Sequence, residues 1–491
     1  MRPALPLPRP TLTLSRSVQW QAWKGVARKQ CKRIAPGAGL LLCLLWWMAG
    51  CQKSAPLQDP PPTATPVERQ AVAPVVTSQP QEATCQRGSL DAAKEVVLGA
   101  LLPLSSPGAV QVGLAMQAAI KLAVEDVNTG AEFRGKLLRV AIYDTSGLPE
   151  QGVRFANRLI RQDCVAVLVG LHQSDVALAV KKVAHQAGIP IIFVDPRADE
   201  ITADPLPEVF RVGASTSMLI QAPAKWLVEV GDYNGDQAKV VAFVAENSLA
   251  GKDRVDLVKQ WWPGYGFDLE TMLVDLPTTD FSPIIARIVA HEHLPDAIFI
   301  SMPSNAAFGL QRQLLDAGIG PQKKTLLINN GSLTDNENFW QQIPDGVYTI
   351  AWRIGPWPST ATELGRHFAE AYSRTFNRWP EGYAFEAYDT VQLAADAIMR
   401  ANSLQSNQII SALETTNLEL ASGHYTFPYG SKNHPDDERV PAYMWHQWPD
   451  SLMLFLQYGA AGQKANDAEV IWPKAYRTIN APLLPELKQA P

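Results

Sequence analysis

The chain has 491 residues, 46% of them hydrophobic and 19% charged, which fills one large core or two moderate ones and excludes a disordered or fibrous protein. The formal charge is −5, and beyond residue 50 there is no basic cluster, which argues against nucleic acid as a partner.

Residues 1–50 differ from the rest: they hold eight Lys or Arg, no acid, and an apolar run at 38–49. Such a run is too short for a standard membrane span and suits the apolar part of a secretory signal. It ends in Met48-Ala49-Gly50-Cys51, which resembles the bacterial lipobox and would make Cys51 the lipidated first residue of the mature chain. An uncleaved anchor with an incidental cysteine is the other reading. Loss of 1–50 takes the formal charge from −5 to −13. Cys31 and Cys43 would leave with the signal, so Cys85 and Cys164 remain as an even pair, either a disulfide in an oxidising compartment or two thiols. Residues 52–84, rich in Pro, Thr, Gln and Ala, cannot bury a core and are expected to form a tether.

After the tether, 96–102 reads as a buried strand, 103–108 (PLSSPG) as a loop, 112–127 as an amphipathic helix, 137–143 as a strand and 153–160 as helical. The stretch 164–194 is the clearest. Val165, Val167, Leu168 and Val169 form a strand fit for burial on both faces, Gly170 ends it, and Ser174 is a possible N-cap. Val176, Ala179, Val180, Val183, Ala184 and Ala187 stripe the helix, Gly188 stops it, and IPIIFV begins the next strand. In such a βαβ unit ligands lie beyond the carboxyl ends of the strands, so 171–175 is the expected binding edge.

A short strand at 209–212 precedes a second alternating series: helices at 218–230, 251–262, 281–291 and 305–317, strands at 240–244, 269–274, 297–300 and 325–328. This alternation predicts an α/β class with parallel sheets, too many strands for one sheet, and hence two doubly wound Rossmann-like lobes with a crossover near 213–218. Further helices are expected at 364–376, 384–399 and 409–413, then β structure from 422 with an aromatic strand at 442–448. The expected organisation is a signal at 1–50, lipidated Cys and tether at 51–94, lobe 1 at 95–214 with 352–422, lobe 2 at 215–351 with 423–460, and a tail at 461–491. There is no internal repeat.

Catalytic signatures fail. Residues 246–253 (ENSLAGKD) lack the leading Gly of a phosphate loop, and Asp253 stands where Ser or Thr would hold magnesium. His291-Glu292-His293 lacks zinc-protease spacing, because Pro295 stands where the second His would be. Neither G-x-S-x-G nor G-x-G-x-x-G occurs in the mature chain. No enzyme activity, metal or cofactor is expected.

The order of elements, with the strings VVLGALLPLSSPGAVQVGLAMQAAIKLAVEDVN, VLVGLHQSD, AGIPIIFVDPRADEIT, RQLLDAG and AFEAYDTVQLAADAI, resembles the branched-chain amino-acid-binding family of bacterial solute receptors, with the type I periplasmic binding protein fold. The resemblance spans about 96–458. It implies two lobes joined by three crossings, closing on a small molecule that is handed to an ABC permease of the inner membrane; a monomer is expected. It also implies that Ser174 and backbone N–H groups at a helix start hold a ligand carboxylate. Asp195 and Arg197 match the next strand-end loop, where the family offers a carbonyl and a Thr hydroxyl; Arg197 can pair with an anion or face water. Asn330 replaces the family's ammonium-binding Glu, and aromatic walls are missing at Ala250 and near Met302 or Pro303. An amide, a carboxylate or another small polar solute thus stands beside an amino acid as expected ligand. Ser105, Ser106, Asn247 and Trp352 are further candidates from strand-end or crossover positions. The alternative is a lipoprotein of the same fold that regulates an envelope enzyme or sensor by protein contact, as penicillin-binding-protein activators do.

Overall fold

The computed structural model describes residues 85, 87–130, 133, 135–230, 239–330, 338–436, 439–479 and 484–485, without the side chains of 249, 250, 304 and 330. The signal segment, Cys51 and the tether lie outside the described residues.

The chain first builds β1 (Glu95–Leu102), α1 (Val110–Thr129), β2 (Leu137–Asp144), α2 (Pro149–Arg161), β3 (Val167–Gly170), α3 (Ser174–Ala187), β4 (Ile191–Phe193), α4 (Glu200–Ala203) and β5 (Val209–Arg211). The second series is α5 (Thr216–Val230), β6 (Val240–Glu246), α6 (Leu249–Trp261), β7 (Asp268–Val274), α7 (Ser282–Val289), β8 (Ala297–Ser301), α8 (Ser304–Asp316), β9 (Leu326–Asn330), α9 (Phe339–Gln342) and β10 (Ile350–Ile354). Then come α10 (Glu363–Phe376), α11 (Gly382–Ala401), α12 (Ser406–Glu414), β11 (Asn417–Glu419), β12 (His424–Thr426), β13 (Met453–Gln457) and β14 (Glu469–Trp472).

Two sheets result. The first, ordered β2-β1-β3-β4-β5, is parallel throughout. The second is ordered β14-β13-β10-β9-β8-β6-β7, with β13 and β14 antiparallel to their neighbours. Strand alternation sends successive side chains to opposite faces. In β3, Val167 and Val169 join the core under α1 and α11, while Leu168 joins the one under α2 and α3. In β6, Val241, Phe243 and Ala245 meet α5 and α6, and Ala242 and Val244 the α7–α8 side. The chain passes from β1 to β2 on one side and to β3 on the other, so a crevice opens at their carboxyl ends.

Three crossings join the lobes and are bonded to one another. Trp448 N–H donates to Arg211 O (2.9 Å), Gln447 Nε2 to Gly213 O (2.9 Å), and Gly355 N–H to Leu452 O (2.7 Å). Cys85 and Cys164 are disulfide-bonded, Cα atoms 5.3 Å apart, tying the segment before β1 to the entry of β3.

Residues 442–448, expected as a strand, form a single turn at Ala442–Met444 and then a crossing. Trp445, His446, Gln447 and Trp448 are all buried but join no ladder, meeting β5 through the isolated bridge of Gln447 to Arg211; His446 stacks on Phe210 and Trp448 on Tyr425. The same contacts put 423–448 in lobe 1 rather than lobe 2, since Tyr425, Phe427 and Trp448 share a core with Phe210 and Tyr388. The return to lobe 1 also comes later than residue 352, because β10 is an inner strand of the second sheet. The expected tail contains β14, whose Val470 and Ile471 are buried against β13.

Candidate functional site

The site grows from the turn between β3 and α3. Gly170 (φ 107°) and Leu171 (φ 68°) reverse the backbone in the left-handed region. Gln173 is the N-cap, in extended conformation and without a side-chain capping bond. Ser174, read from sequence as the cap, is instead the first helical residue; its Oγ accepts from Ala198 N–H (3.1 Å), clipping this turn to the loop after β4. Asp175 Oδ1 takes the Val176 N–H (2.8 Å). The N–H groups of Ser174 and Asp175 have no acceptor among the described residues. They carry the positive end of a helix dipole.

Beside them lies a charged cluster. Asp195, after β4, pairs with Arg197 and with His172 Nδ1. Arg197 Nη2 lies 3.5 Å from Glu386 Oε2 on α11, and Nη1 donates to Ala214 O (3.1 Å). The Arg197 carbonyl accepts from Thr216 N–H (2.7 Å) and Oγ1 (2.9 Å). Arg197 thus connects a strand-end loop, α11 and the first crossing, and it is held rather than turned to water.

Burial alone would push the Asp195 carboxyl up, but the Arg197 guanidinium and His172 hold it below the usual carboxylate range. At Glu386 burial dominates; Arg197 offsets it in part while Asp195 and Asp389 add repulsion, and the carboxyl is pushed up to about 8. Neither Glu386 carboxylate oxygen has a hydrogen-bond donor among the described residues.

The other expected residues lie apart from this cluster. Ser105 and Ser106 are exposed in the loop after β1, where Ser105 Oγ and Ser146 Oγ are 2.8 Å apart. That loop is a neighbour of the α3 entrance, because Gly147 packs against Gly108 and Gln173. Asn247 is exposed at the end of β6 in lobe 2 and donates from Nδ2 to Asp275 Oδ1 (2.5 Å). Trp352 is not at a strand end: it sits within β10 opposite Phe455, packed on the lobe 2 core. Asn330 ends β9, and its side chain lies outside the described residues. Sequence reasoning misses His172 and Glu386. Acids set within the apolar stripe of a helix, Glu386 and Asp389 in AFEAYDTVQLAADAI, are the available signal.

Known proteins share this architecture. The family described as periplasmic binding protein matches residues 95–445. Leu/Ile/Val-binding protein homolog 7 of Brucella abortus (strain 2308) is 21% identical over 399 residues, covering 77% of this chain and 95% of the relative. Among solved structures, a branched-chain amino acid transporter substrate-binding protein of Streptococcus pneumoniae, in complex with isoleucine, superposes with TM-score 0.57 at 20% identity, covering 77% of this chain and all of that one (100%). An ABC transporter solute-binding protein of Rhodopseudomonas palustris, in complex with benzoate, gives TM-score 0.56 at 18% identity, covering 78% and 98%. The solved structures share the two-lobed fold, and the family match over residues 95–445 establishes that the chain belongs to the periplasmic binding protein family, a family of solute receptors.

Proposed function

We propose that the protein is an exported, lipid-anchored receptor that captures a small carboxylate-bearing solute between its lobes and presents it to an ABC permease. The observation that carries this reading is the uncapped start of α3, with the partly exposed Ser174 beside Arg197 at one strand-end edge. A carboxylate there receives N–H and O–H donors together with the helix dipole. Isoleucine and benzoate, the molecules bound to the two solved relatives, have a carboxylate in common. Anchoring rests on Met48-Ala49-Gly50-Cys51, and delivery to a permease on family membership. Regulation of an envelope enzyme by protein contact finds no support among these relatives.

The test is thermal unfolding of residues 85–491 against amino acids, amides and short carboxylates. A ligand at about a hundred times its Kd adds ~2.7 kcal/mol to the folded state and raises the melting temperature. Ser174→Ala is expected to weaken the responding ligand by about tenfold or more, since a hydrogen bond to a charged group is worth ~1.5–3 kcal/mol. Unchanged affinity in that variant would remove Ser174 from the site. For the anchor, Cys51→Ser should abolish labelling by a radioactive fatty acid.

A further inference from the structure

We infer that His172, oriented by Asp195, is a direct ligand contact, and that this wall of the cleft selects solutes whose only charge is a carboxylate: aromatic or branched aliphatic acids without an amino group. The inference rests on the carboxylate reading above and narrows it. Its basis is which groups of the cluster are accessible. His172 is 29% exposed and Arg197 21%, whereas Asp195 is 6% and Glu386 only 2% exposed. A solute meeting this wall therefore meets an imidazole, a guanidinium edge, the Ser174 hydroxyl and two helix N–H groups. The last three donate to an anion as they stand, and the imidazole, whose Nδ1 is turned to Asp195, does so through Nε2 when that nitrogen carries a proton.

The carboxylates are engaged inward. Asp195 serves Arg197 and His172, and Glu386 lies behind Arg197, 3.5 Å from its Nη2. An ammonium placed here would approach Arg197, and like charges at short range repel; the exposed carboxylate nearest in the chain, Asp175, already accepts the Val176 N–H through Oδ1. His172 is well placed for the opposite role. Its Nδ1 is committed to Asp195, which fixes the ring, and no described residue bonds to Nε2. A carboxylate behind a histidine fixes the orientation of the ring and so the direction in which its far nitrogen points. The groups facing the imidazole are thus Asp195 and, behind it, Arg197 from the loop after β4, with Glu386 from α11 beyond them.

The experiment measures Kd by calorimetry for benzoate, 4-methylpentanoate and L-leucine on the full-length chain in detergent, comparing wild type, His172→Gln and Ser174→Ala. The wild type is expected to bind 4-methylpentanoate about tenfold or more tighter than L-leucine, its amino-bearing analogue. His172→Gln should weaken both acids by about tenfold. L-leucine binding more tightly than 4-methylpentanoate would overturn the selectivity. Acid affinities that fall in Ser174→Ala but not in His172→Gln would overturn the role of His172 and leave the carboxylate reading standing. Loss in neither variant, or no binding of any of the three probes, would overturn both. Should His172→Gln fold poorly, the 15N signals of the wild-type imidazole decide: a shift on benzoate saturation supports the contact, and none overturns it.

Discussion

Glu386 is a carboxylate held where water cannot reach it, with one guanidinium 3.5 Å away and no hydrogen bond among the described residues. Its carboxyl is raised from an ordinary 4.5 to about 8, so the folded chain keeps a proton that the unfolded chain releases. Stability from this group is complete below the unfolded value and is lost as pH climbs through about 8. Asp389, pushed up to about 6 by burial, acts in the same direction over a lower window. Asp195, held below its usual range, acts oppositely and costs stability only in acid. Melting temperature should therefore fall from mildly acidic to alkaline pH. Glu386→Gln should flatten the fall above pH 6, gaining on the order of a few kcal/mol over wild type at pH 9, since each tenfold change in proton affinity is worth ~1.4 kcal/mol. Parallel wild-type and variant profiles in calorimetric melts across pH 5–9 would refute it. The helix start at 174 is legible in the sequence because strand, glycine and amphipathic helix follow one another without a break, whereas the cap is one residue earlier, at Gln173. The partners of Arg197 are not: periodicity places Glu386 on a helix but cannot tell which distant loop that helix meets.

Gly213 shows what the crossings require of the chain. A Cβ there would lie 2.2 Å from the Val194 carbonyl oxygen and 2.8 Å from Arg197 Nη1, with Glu386 Oε2 at 3.2 Å. Neither the strand end nor the charged cluster can yield without moving the other. Gly213→Ala is expected to destabilise the fold by ~1–3 kcal/mol, the usual cost of overpacking, and to weaken ligand binding by displacing Arg197. A denaturant midpoint equal to wild type would show that the first crossing has room. Elements with a clean period are legible in sequence: β1, β3, β6 and β8 fall within a residue or two of expectation. The errors share a cause. Residues 445–448 are buried on all sides because they thread between β5 and β12, so aromatic content without alternation passes for a strand. In β14 the apolar run is short and ends at Pro473, and only its pairing with β13 makes it part of the sheet.

Across the whole molecule, the crossings behave as one laminated strip. Bonds from 448 to 211, 447 to 213 and 355 to 452 tie the third segment to the first and to the second, so they resist sliding, while a small rotation can be shared among their backbone angles. Arg197 stands where that strip meets the ligand edge: its carbonyl holds Thr216 at the start of α5, and its guanidinium holds Ala214. A solute bound only to lobe 1 would leave the lobe angle unchanged, because an equilibrium shifts only by the difference in affinity between two states. A solute touching both walls must favour the closed arrangement. Small-angle scattering of residues 85–491 is therefore expected to show a smaller radius of gyration with the responding ligand than without it. Ser174→Ala should need about ten times more ligand than the wild type to reach half of the same contraction. A radius unchanged at saturation, with calorimetry showing the site full, would mean that the solute is held by one lobe alone and that the crossings fix the lobe angle.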